Sequence, residues 1–306
     1  MSRISVIGNV NIDILVWPAT VLPPPGADMT VESIQMRAAG SAGNTALALA
    51  RLGHIPHVVG CVGDDHFGQF ILEELAAAGV EEGVVVLPDE PTGISIAFEA
   101  PGRDRSFLTL LGSLQRLRAS MVPPEALAKD FVLLCGYFML PSLRGEPTLR
   151  LLERVRADGG CTLFDSDWDP GGWTTESREE VAQILPLVDV FLPSEEEARG
   201  ITGLADPVAA ARALQQISGR WVVAKLGANG CVAIGPEEEH RVPAPVVRVS
   251  DTTGAGDSFN GGILYALASG AEWSEALRLA TRVASTVVSR SSADRYPTLE
   301  ELVPLT

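Results

Sequence analysis

Residues 251–259 read Asp-Thr-Thr-Gly-Ala-Gly-Asp-Ser-Phe, and this stretch indicates a turn from a strand into a helix. Val246–Val249 is predicted to be the strand, and Ser258–Ala268 is predicted to be the helix. Small residues at 254–256 would let main-chain N–H groups converge where the helix begins. Those N–H groups have no partner inside the helix, and the helix dipole favours negative charge there. We therefore predict an anion-binding site and call residues 254–257 the anion seat.

Asp257 is a carboxylate within that seat. It would repel a resting phosphate, but it suits a base that takes the proton from a hydroxyl attacking phosphorus. The alternative is an acidic residue that caps a helix, which is common at such positions. The glycine-rich turn and the acid together indicate phosphoryl transfer.

The composition indicates a globular protein with a large core. The chain has 306 residues, 46% of them hydrophobic and 20% charged, which suits one large domain or a domain with an appendage. Its formal net charge of −16 disfavours nucleic acid and anionic membranes as partners. ATP is not disfavoured, because local N–H groups, magnesium and a few basic residues decide such a site.

The four cysteines are isolated from one another, at Cys61, Cys135, Cys161 and Cys231. Because no C-x-x-C pair occurs, a zinc site or a disulfide framework is disfavoured, and free thiols in a reducing compartment are expected. The first predicted strand begins at Ile4 without a basic and apolar leader, and no apolar run reaches membrane-spanning length. We therefore expect a cytoplasmic protein.

Short apolar runs alternate with helical patterns along the chain, which predicts parallel strands covered by helices on both faces. The predicted strands are Ile4–Gly8, His57–Val62, Phe131–Leu134, Cys161–Phe164, Val188–Leu192, Trp221–Leu226 and Cys231–Ile234. The predicted helices are Asn44–Leu52, Gly68–Ala78, Thr148–Ala157, Arg178–Leu185, Glu195–Gly200 and Val208–Ile217. In sheets of this kind, ligands bind at the carboxyl ends of the strands.

Two segments break this alternation of strands and helices. Met29–Met36 and Thr92–Leu111 alternate apolar and polar residues, which is the period of half-buried antiparallel strands. Residues 101–104 (Pro-Gly-Arg-Asp) predict a turn within the second segment. The two segments are predicted to form a small flap over the site.

Residues 251–259 resemble the C-terminal signature of the ribokinase-like (PfkB) carbohydrate kinase family. Residues 39–46 (Ala-Gly-Ser-Ala-Gly-Asn-Thr-Ala), through Leu52-Gly53, resemble its N-terminal signature, and the similarity runs from about Ile4 to Glu301. The resemblance implies a three-layer α/β/α fold with a central, mostly parallel sheet and a small β-sheet lid. It also implies a single kinase domain over residues 1–306, with lid segments at about 14–37 and 92–112 and a homodimer contact through the lid.

The resemblance implies an ATP-dependent sugar kinase that uses Mg²⁺. Asp257 would be the base for the sugar hydroxyl, and the N–H groups of Ala255, Gly256 and Asp257 would hold the phosphoryl group beside Gly254. ATP would bind between residues 227–230 and the anion seat, and the acceptor would bind under the lid.

Candidate acceptor ligands lie in the first part of the chain. Asn11 and Asp13 are predicted at the end of the first strand, where alternation places both on the same side. A carboxylate and an amide suit a polyol, and turn chemistry is the alternative interpretation. The resemblance assigns sugar hydroxyls to Asp13. It assigns sugar contacts to Gly40, Gly43 and Asn44, in a loop where a serine replaces the second of two adjacent glycines.

Candidate nucleotide contacts follow two other predicted strands. By resemblance, Ser194 and Glu197 match a family Asn-x-x-Glu motif that supports the phosphates and the magnesium shell, with serine in place of asparagine. A capping box is the alternative for this pair. By resemblance, Gly227 and Gly230 contact the nucleotide, with added charge from Lys225, although Asn-Gly also favours a hairpin turn.

Further polar residues are candidates for cations and for the adenine pocket. Asp165 and Asp167 follow a predicted strand and would either order magnesium or form a polar turn. By resemblance, Asp251 and Thr253 hold a monovalent cation, so potassium is expected as an activator. Thr281 matches a family position at the adenine pocket that commonly holds asparagine.

The acceptor itself stays open between a sugar and a nucleoside. A nucleoside would need apolar flap residues, for which Phe98, Phe107 and Phe138 are candidates. Arg103 and Arg105 in the flap would either bind a phosphate on the substrate or be solvated. A non-catalytic sensor is disfavoured by the intact acid in the anion seat. A dinucleotide oxidoreductase is disfavoured because no G-x-G-x-x-G follows the first strand.

Overall fold

The computed structural model describes residues 2–21, 23–80, 83–100, 105–290 and 294–302. Within those ranges the strands are β1 (Ile4–Ile7), β2 (Asn11–Trp17), β3 (Ser33–Ala39), β4 (His57–Gly63), β5 (Val84–Leu87), β6 (Ile94–Phe98), β7 (Ser106–Leu110), β8 (Phe131–Cys135), β9 (Cys161–Asp165), β10 (Val190–Phe191), β11 (Trp221–Lys225), β12 (Cys231–Ile234) and β13 (Glu239–Val242). The helices are α1 (Ser41–Arg51), α2 (His66–Ala77), α3 (Pro124–Leu127), α4 (Glu146–Ala157), α5 (Thr175–Ile184), α6 (Glu195–Thr202), α7 (Pro207–Ser218), α8 (Ala255–Ala268), α9 (Trp273–Val288) and α10 (Leu299–Leu302). The turn predicted at 101–104, with Arg103, lies outside the described residues.

Among the described residues, the main sheet has nine strands in the order β13-β12-β11-β10-β9-β8-β1-β4-β5. The strands from β11 to β5 in that order pair in parallel, and β12 and β13 add an antiparallel edge. Because helices cover both faces, a strand such as β8 is a continuous apolar run, Phe-Val-Leu-Leu-Cys. The predicted three-layer architecture with a mostly parallel central sheet is confirmed.

Successive residues of each strand point into two separate cores. In β9, Phe164 packs with residues of helices α4 to α7, whereas Leu163 packs with residues of helices α1, α2, α8 and α9. Full burial of one such side chain stabilises the fold by about 1.5–3 kcal/mol. This two-sided burial fixes the carboxyl ends of β9, β10 and β11, from which site residues extend.

In the part of the chain that the structure describes, the small sheet has four strands in the order β3-β2-β6-β7. β2 pairs antiparallel with β3 and parallel with β6, while β6 pairs antiparallel with β7. Most residues of β3, β6 and β7 are exposed or half-buried. The two segments that were predicted from apolar–polar alternation therefore join one sheet, although one of its pairings is parallel. We call this four-stranded sheet the lid.

Some sequence predictions differ from the observed elements. Val246–Val249 is not a strand, and both of its end residues are exposed. Pro243 and Pro245 precede it, and neither has the N–H needed to extend a ladder beyond β13. The helix predicted from Ser258 begins at Ala255 instead. The predictions also omitted β2, β5, β13, α3, α9 and α10.

None of the helices in the described ranges is long and apolar enough to cross a membrane.

Candidate active site

The anion seat lies where α8 begins. Gly254 has a φ of 69°, in the left-handed region that favours glycine, and it is the last residue before the helix. The N–H of Ala255 donates to a carbonyl group within the preceding loop at 3.2 Å. The N–H groups of Gly256 and Asp257 belong to the first helical turn, where no earlier turn supplies a partner. Lys225 lies next to Gly256, since its Nζ would be 3.4 Å from a Cβ at that glycine.

Asp257 is the third residue of α8 and is partly buried. Its Oδ2 accepts a hydrogen bond from Nδ2 of Asn44 at 2.8 Å, and Tyr296 donates its O–H to Oδ1 of Asn44 at 2.9 Å. Burial raises the pKa of Asp257 to about 6, while the hydrogen bond from Asn44 lowers it and the carboxylate of Asp165 raises it. Such a carboxylate is ionised at neutral pH and accepts a proton more readily than an exposed one. Asn44, which was expected to contact the sugar, therefore orients this carboxylate.

Three carboxylates converge beside the anion seat. Carboxylate oxygens of Asp165, Asp167 and Asp257 all lie within 4.8 Å of one another. Burial and the charge of Asp165 raise the pKa of Asp167 well above its ordinary value. Hard oxygen ligands with excess negative charge suit a divalent cation such as Mg²⁺. The polar turn that was the alternative interpretation is present, because Asp167 N donates to Oδ1 of Asp165 at 3.1 Å. The convergence of the three carboxylates also suits magnesium, so both interpretations of Asp165 and Asp167 agree with the geometry.

Lys225 is the one cation in direct contact with that acid cluster among the described residues. Its Nζ donates to Oδ2 of Asp165 at 2.7 Å. Burial lowers the pKa of Lys225, but the carboxylates of Asp165 and Glu197 raise it above its ordinary value. Lys225 therefore stays charged, and it also leaves part of the negative charge of the cluster uncompensated.

Ser194 and Glu197 form the capping box that was the alternative interpretation of their motif. Glu197 N donates to Oγ of Ser194 at 3.2 Å, and Ser194 N donates to Oε2 of Glu197 at 2.8 Å. Burial, with the neighbouring Asp165, raises the pKa of Glu197 to about 7. Glu197 is thus coupled to the acid cluster by charge but is not one of its three converging carboxylates.

Asn11 and Asp13 lie on β2, so they begin the lid and do not end the first strand, as had been predicted. Nδ2 of Asn11 donates to Oδ1 of Asp13 at 3.0 Å, which confirms that the two side chains share one side. Nδ2 of Asn9 donates to Oδ1 of Asn11 at 3.1 Å and fixes its orientation. Burial and the charge of Asp257 raise the pKa of Asp13 to about 7. The lid carboxylate is therefore close enough to the main-body carboxylate for the two to interact.

The two glycines predicted to line the sugar loop differ in their surroundings. Gly40 has a φ of 88°, and a Cβ there would lie 2.4 Å from the carbonyl oxygen of Asn9, so the loop requires glycine. Gly43 lies in the buried part of α1, and a Cβ there would contact Val10 at 3.7 Å. Gly40 shapes the loop, while Gly43 packs against the core.

The residues predicted to contact the nucleotide also differ in their surroundings. Gly227 has open space where a side chain would extend, whereas a Cβ at Gly230 would lie 1.9 Å from the carbonyl oxygen of Val242. The predicted hairpin turn is confirmed, because β11 and β12 pair antiparallel on either side of it. Thr281 is buried, and its Oγ1 donates to the carbonyl oxygen of Leu277 at 2.8 Å within α9. Its hydroxyl is therefore already engaged inside the helix.

Asp251 and Thr253 lie among three guanidinium groups. Nη1 of Arg37 lies 2.5 Å from Oδ2 of Asp251, and Nη1 of Arg295 lies 3.6 Å from the same oxygen. Nη1 of Arg105 lies 3.4 Å from Oδ1 of Asp251, and this arginine also donates to Oγ1 of Thr253. Burial works against ionisation, but hydrogen bonds from Thr253 and the charge of Arg295 lower the pKa of Asp251. The oxygens expected to hold a monovalent cation are thus taken by arginines, so they do not fit a potassium ion.

Sequence analysis missed Arg37, Arg295 and Tyr296, and also the buried Asn260, whose Nδ2 donates to Oδ2 of Asp165 at 2.5 Å. Tyr296 supports Asn44 through its hydroxyl, and the two arginines contact Asp251. They lie outside the two signature segments at 39–46 and 251–259, and no local sequence pattern marks them. Only knowledge that Arg295 is buried would have drawn attention to it, because buried arginine is rare.

Comparisons with known proteins agree with this geometry. The model of the pfkB family carbohydrate kinases matches residues 1–299. The aminoimidazole riboside kinase of Salmonella typhimurium is 30% identical over 288 residues, covering 90% of this chain and 84% of that protein. A candidate ribokinase II from E. coli, solved with ATP and Mg²⁺, has a TM-score of 0.83 at 25% identity and covers 99% of this chain and 98% of its own. The adenosine kinase of Sinorhizobium meliloti has a TM-score of 0.85 at 25% identity, covering 98% and 97% of the two chains.

The family match extends over nearly the whole chain and includes the lid, the anion seat and the acid cluster. It confirms the resemblance inferred from the two signature segments. The relatives share both the fold and the transfer of a phosphoryl group to an alcohol. The chain belongs to the pfkB family of carbohydrate kinases.

Proposed function

We propose that this protein is an ATP-dependent kinase that transfers the γ-phosphoryl group to a hydroxyl of a small sugar. One observation carries the proposal. Asp257 is held by Asn44 at the start of α8, and its charge acts on Asp13 of the lid. A base beside an anion seat, opposite a polyol-binding acid, is the arrangement that this reaction requires. Membership of a carbohydrate kinase family supports the same reaction.

The acceptor binds between the lid and the anion seat in this proposal. Asn11 and Asp13 hold its hydroxyl groups, and Gly40 keeps the neighbouring loop close to them. Asp257 takes the proton of the attacking hydroxyl as the new O–P bond forms. The bond between the γ-phosphorus and its bridging oxygen breaks, and ADP leaves with that oxygen. The N–H groups of Gly256 and Asp257 stabilise the negative charge of the phosphoryl oxygens.

Mg²⁺ fits the acid cluster beside the seat. Asp165 and Asp167 would hold it, and Glu197 of the capping box lies close enough to Asp165 for the two carboxyl groups to interact. When bound, Mg²⁺ would neutralise phosphate charge and align the transferring group. Lys225 stays charged next to these acids, and the open space at Gly227 leaves room for the nucleotide. The E. coli neighbour solved with ATP and Mg²⁺ supports this pair of cofactors.

In this proposal, residues 1–306 form one kinase domain with lid segments at about 14–37 and 92–112. Two copies of the chain form a homodimer through the lid. Exposed apolar side chains on the lid support the dimer, since Ile34, Phe107 and Leu108 are more than half exposed. Leu108→Glu should convert the dimer to a monomer in sedimentation velocity. Val246→Glu changes an exposed apolar residue outside the lid and should leave the protein dimeric. A wild-type protein that sediments as a monomer would refute the dimer.

The compartment that we propose is the cytoplasm. All four cysteines are free, and three of them are buried. Free thiols persist in reducing compartments, where disulfides are rare.

A nucleoside is the second candidate acceptor. The adenosine kinase of Sinorhizobium meliloti has the same fold, and the Salmonella typhimurium relative acts on a riboside. Of the predicted apolar residues, Phe98 and Phe107 lie on the lid, whereas Phe138 is buried against Trp173 in the core. Two lid phenylalanines thus remain as candidates for contact with a base.

The test is a coupled ADP-release assay over a panel of sugars, phosphosugars and nucleosides. Asp257→Asn should lower the rate on the best acceptor by roughly 10²–10⁴-fold, because it removes the base. Asp206→Asn, at the exposed N-terminal cap of α7, serves as the matched control and should keep the rate. A preference for nucleosides would select the second candidate. ATP binding without turnover on any acceptor would indicate a sensor instead.

A further inference from the structure

Arg295 is a buried arginine directly behind the anion seat. It is 4% exposed, and its guanidinium carbon lies 5.5 Å from the ring centre of Tyr296. Its Nη2 donates to the carbonyl oxygen of Thr253, and Nη1 lies 3.6 Å from Oδ2 of Asp251. The same Nη2 would lie 3.5 Å from a Cβ at Gly254. The guanidinium therefore contacts the residues that lead into α8.

These are the contacts that a monovalent cation behind the seat would need. Such an ion would bind the carboxylate of Asp251 and the carbonyl oxygen of Thr253, and both oxygens already face Arg295. An ion could enter only by displacing the guanidinium. That would leave a buried charge without partners, which is strongly unfavourable.

A guanidinium supplies what the ion would supply. It is always charged, and its planar fork of donors fixes the orientation of the oxygens that it binds. A positive charge that is already held in place near the seat does not have to be reoriented during phosphoryl transfer, so it stabilises the transition state at less cost. Arg37 and Arg105 reach Asp251 from the lid, whereas Arg295 follows α9 in the chain. Its charge therefore stays at the seat whatever the position of the lid.

We propose that Arg295 takes the place of a monovalent cation behind the anion seat, so that phosphoryl transfer by this chain does not need potassium. The inference rests on the sugar-kinase function proposed above. It makes Arg295 a positioning residue, because it acts through Asp251 and Thr253 and does not touch the substrate.

The experiment measures ADP release in tetramethylammonium buffer, with and without added K⁺. The wild-type rate should change by less than about twofold, because the guanidinium already supplies the charge. Arg295→Met should lose roughly 10–100-fold in kcat, and added K⁺ or millimolar guanidinium should restore at least a few-fold of it. Arg295→Lys keeps a positive charge at the site, so it should stay independent of K⁺.

Arg278→Met is the matched control. Arg278 is exposed on α9 and contacts Ser274 of the same helix, so its loss should change neither the rate nor the response to K⁺. Thermal melting of each variant shows whether it folds. If Arg295→Met fails to fold, the wild-type and Arg295→Lys measurements decide the question alone.

A second readout separates this inference from the proposed function. Calorimetry measures the affinity for a non-hydrolysable ATP analogue with Mg²⁺, with and without K⁺. The affinity should be independent of K⁺ for wild type and should rise with K⁺ for Arg295→Met. That pattern without turnover on any acceptor would keep the replacement of the cation by Arg295 and would remove the proposed kinase activity.

Three outcomes would overturn the inference. The first is a wild-type rate or affinity that rises more than about fivefold with K⁺. The second is an Arg295→Met variant as active as wild type without K⁺. The third is a loss in Arg295→Met that neither K⁺ nor guanidinium restores and that Arg295→Lys shares, since that pattern indicates packing and not charge.

Discussion

The main sheet and the lid are both β-sheets, yet they are held in different ways. β1 of the main sheet is buried at every residue, whereas β7 of the lid is exposed at every residue. Apolar cores on both faces stabilise the main sheet. The lid buries less apolar surface and depends more on main-chain pairing and a few polar contacts. We therefore expect the main body to hold the reacting groups rigidly and the lid to be the part that moves.

The two regions meet through charged groups. Arg37 of β3 and Arg105, which precedes β7, contact Asp251 just before the anion seat. The charge of Asp257 in the main body raises the pKa of Asp13 in the lid. Closing this contact would bring the acceptor-binding acid up to the base and exclude water. Substitutions in each region are therefore expected to have different kinds of effect.

The largest expected effect is the loss of stability when a buried phenylalanine of the main sheet is removed, compared with removal of an exposed phenylalanine of the lid. Phe164 is fully buried and stacks on Phe191 with ring centres 5.6 Å apart. Phe164→Ala should lower the free energy of unfolding by about 3–5 kcal/mol, because it leaves a cavity in a packed core. Phe107 is 55% exposed on β7, so Phe107→Ala should change it by at most about 0.5 kcal/mol.

Urea unfolding measures both variants, at a protein concentration where the chain is monomeric so that lid contacts between copies do not contribute. Equal losses for Phe164→Ala and Phe107→Ala would contradict the comparison. They would mean that the lid is as tightly packed as the main body.

The central strands of the main sheet could be predicted from the sequence, whereas its edge strands β5 and β13 and the lid strand β2 could not. Runs buried on both faces, such as Phe131–Cys135, are marked by apolar residues alone. β2 follows β1 after only three residues, and it leaves the main sheet to pair with β3 and β6. No local pattern reports that change of partner, since strand pairing is a property of distant segments.

The site was predictable where it is local and not where it is assembled from distant segments. The anion seat and Asp257 are one short motif, and Asp257 lies at the start of a helix as that motif implies. The arginines around Asp251 come from positions 37, 105 and 295. Their convergence depends on packing between the lid and the C-terminal segment, which a single sequence does not reveal. The resemblance therefore suggested a potassium site where the structure places arginine.

The next largest effect is a pH-dependent change in the free energy of unfolding, which follows from the burial of Asp13. Its pKa rises from 3.8 to about 7 on folding, so folding favours its neutral form. The stability associated with that protonated form is present below pH 4 and is lost as the pH rises through about 7. Asp13→Asn does not titrate, so at pH 8 it should be more stable than wild type by roughly 2–4 kcal/mol.

Urea unfolding between pH 4 and pH 8 checks this prediction, and the difference should shrink towards pH 4. Asp28→Asn is the control, because that aspartate is exposed and its loss should not change the pH dependence. If Asp13→Asn is no more stable than wild type at pH 8, the lid acid is not buried in a charged form there.

A smaller effect should come from the ion pair that joins the lid to the seat. Arg37→Met removes a contact of 2.5 Å with Asp251 and should raise the KM for the acceptor about tenfold, or about 1.4 kcal/mol, with less change in kcat. Arg150→Met removes an exposed pair with Glu146 within one helix and should leave KM unchanged, since such pairs contribute about 0.3–0.5 kcal/mol to stability. Steady-state kinetics on the best acceptor measures both. Equal KM values for the two variants would show that this pair does not hold the lid.

The smallest effect concerns the hydrogen bond that orients the base. Asn44 donates to the ionised carboxylate of Asp257, so its loss in Asn44→Ala should raise the pKa of that carboxylate above its value of about 6. The acid limb of kcat/KM requires ionised Asp257 and should move to higher pH by about 0.5–1 unit. Tyr296→Phe removes the hydroxyl that supports Asn44 but keeps the amide donor, so it should shift the limb less. If the acid limb of the kcat/KM profile does not shift in Asn44→Ala, the pH dependence comes from another group. The coupled Asp13 of the lid would then be the first to test, because its pKa of about 7 lies in the same range.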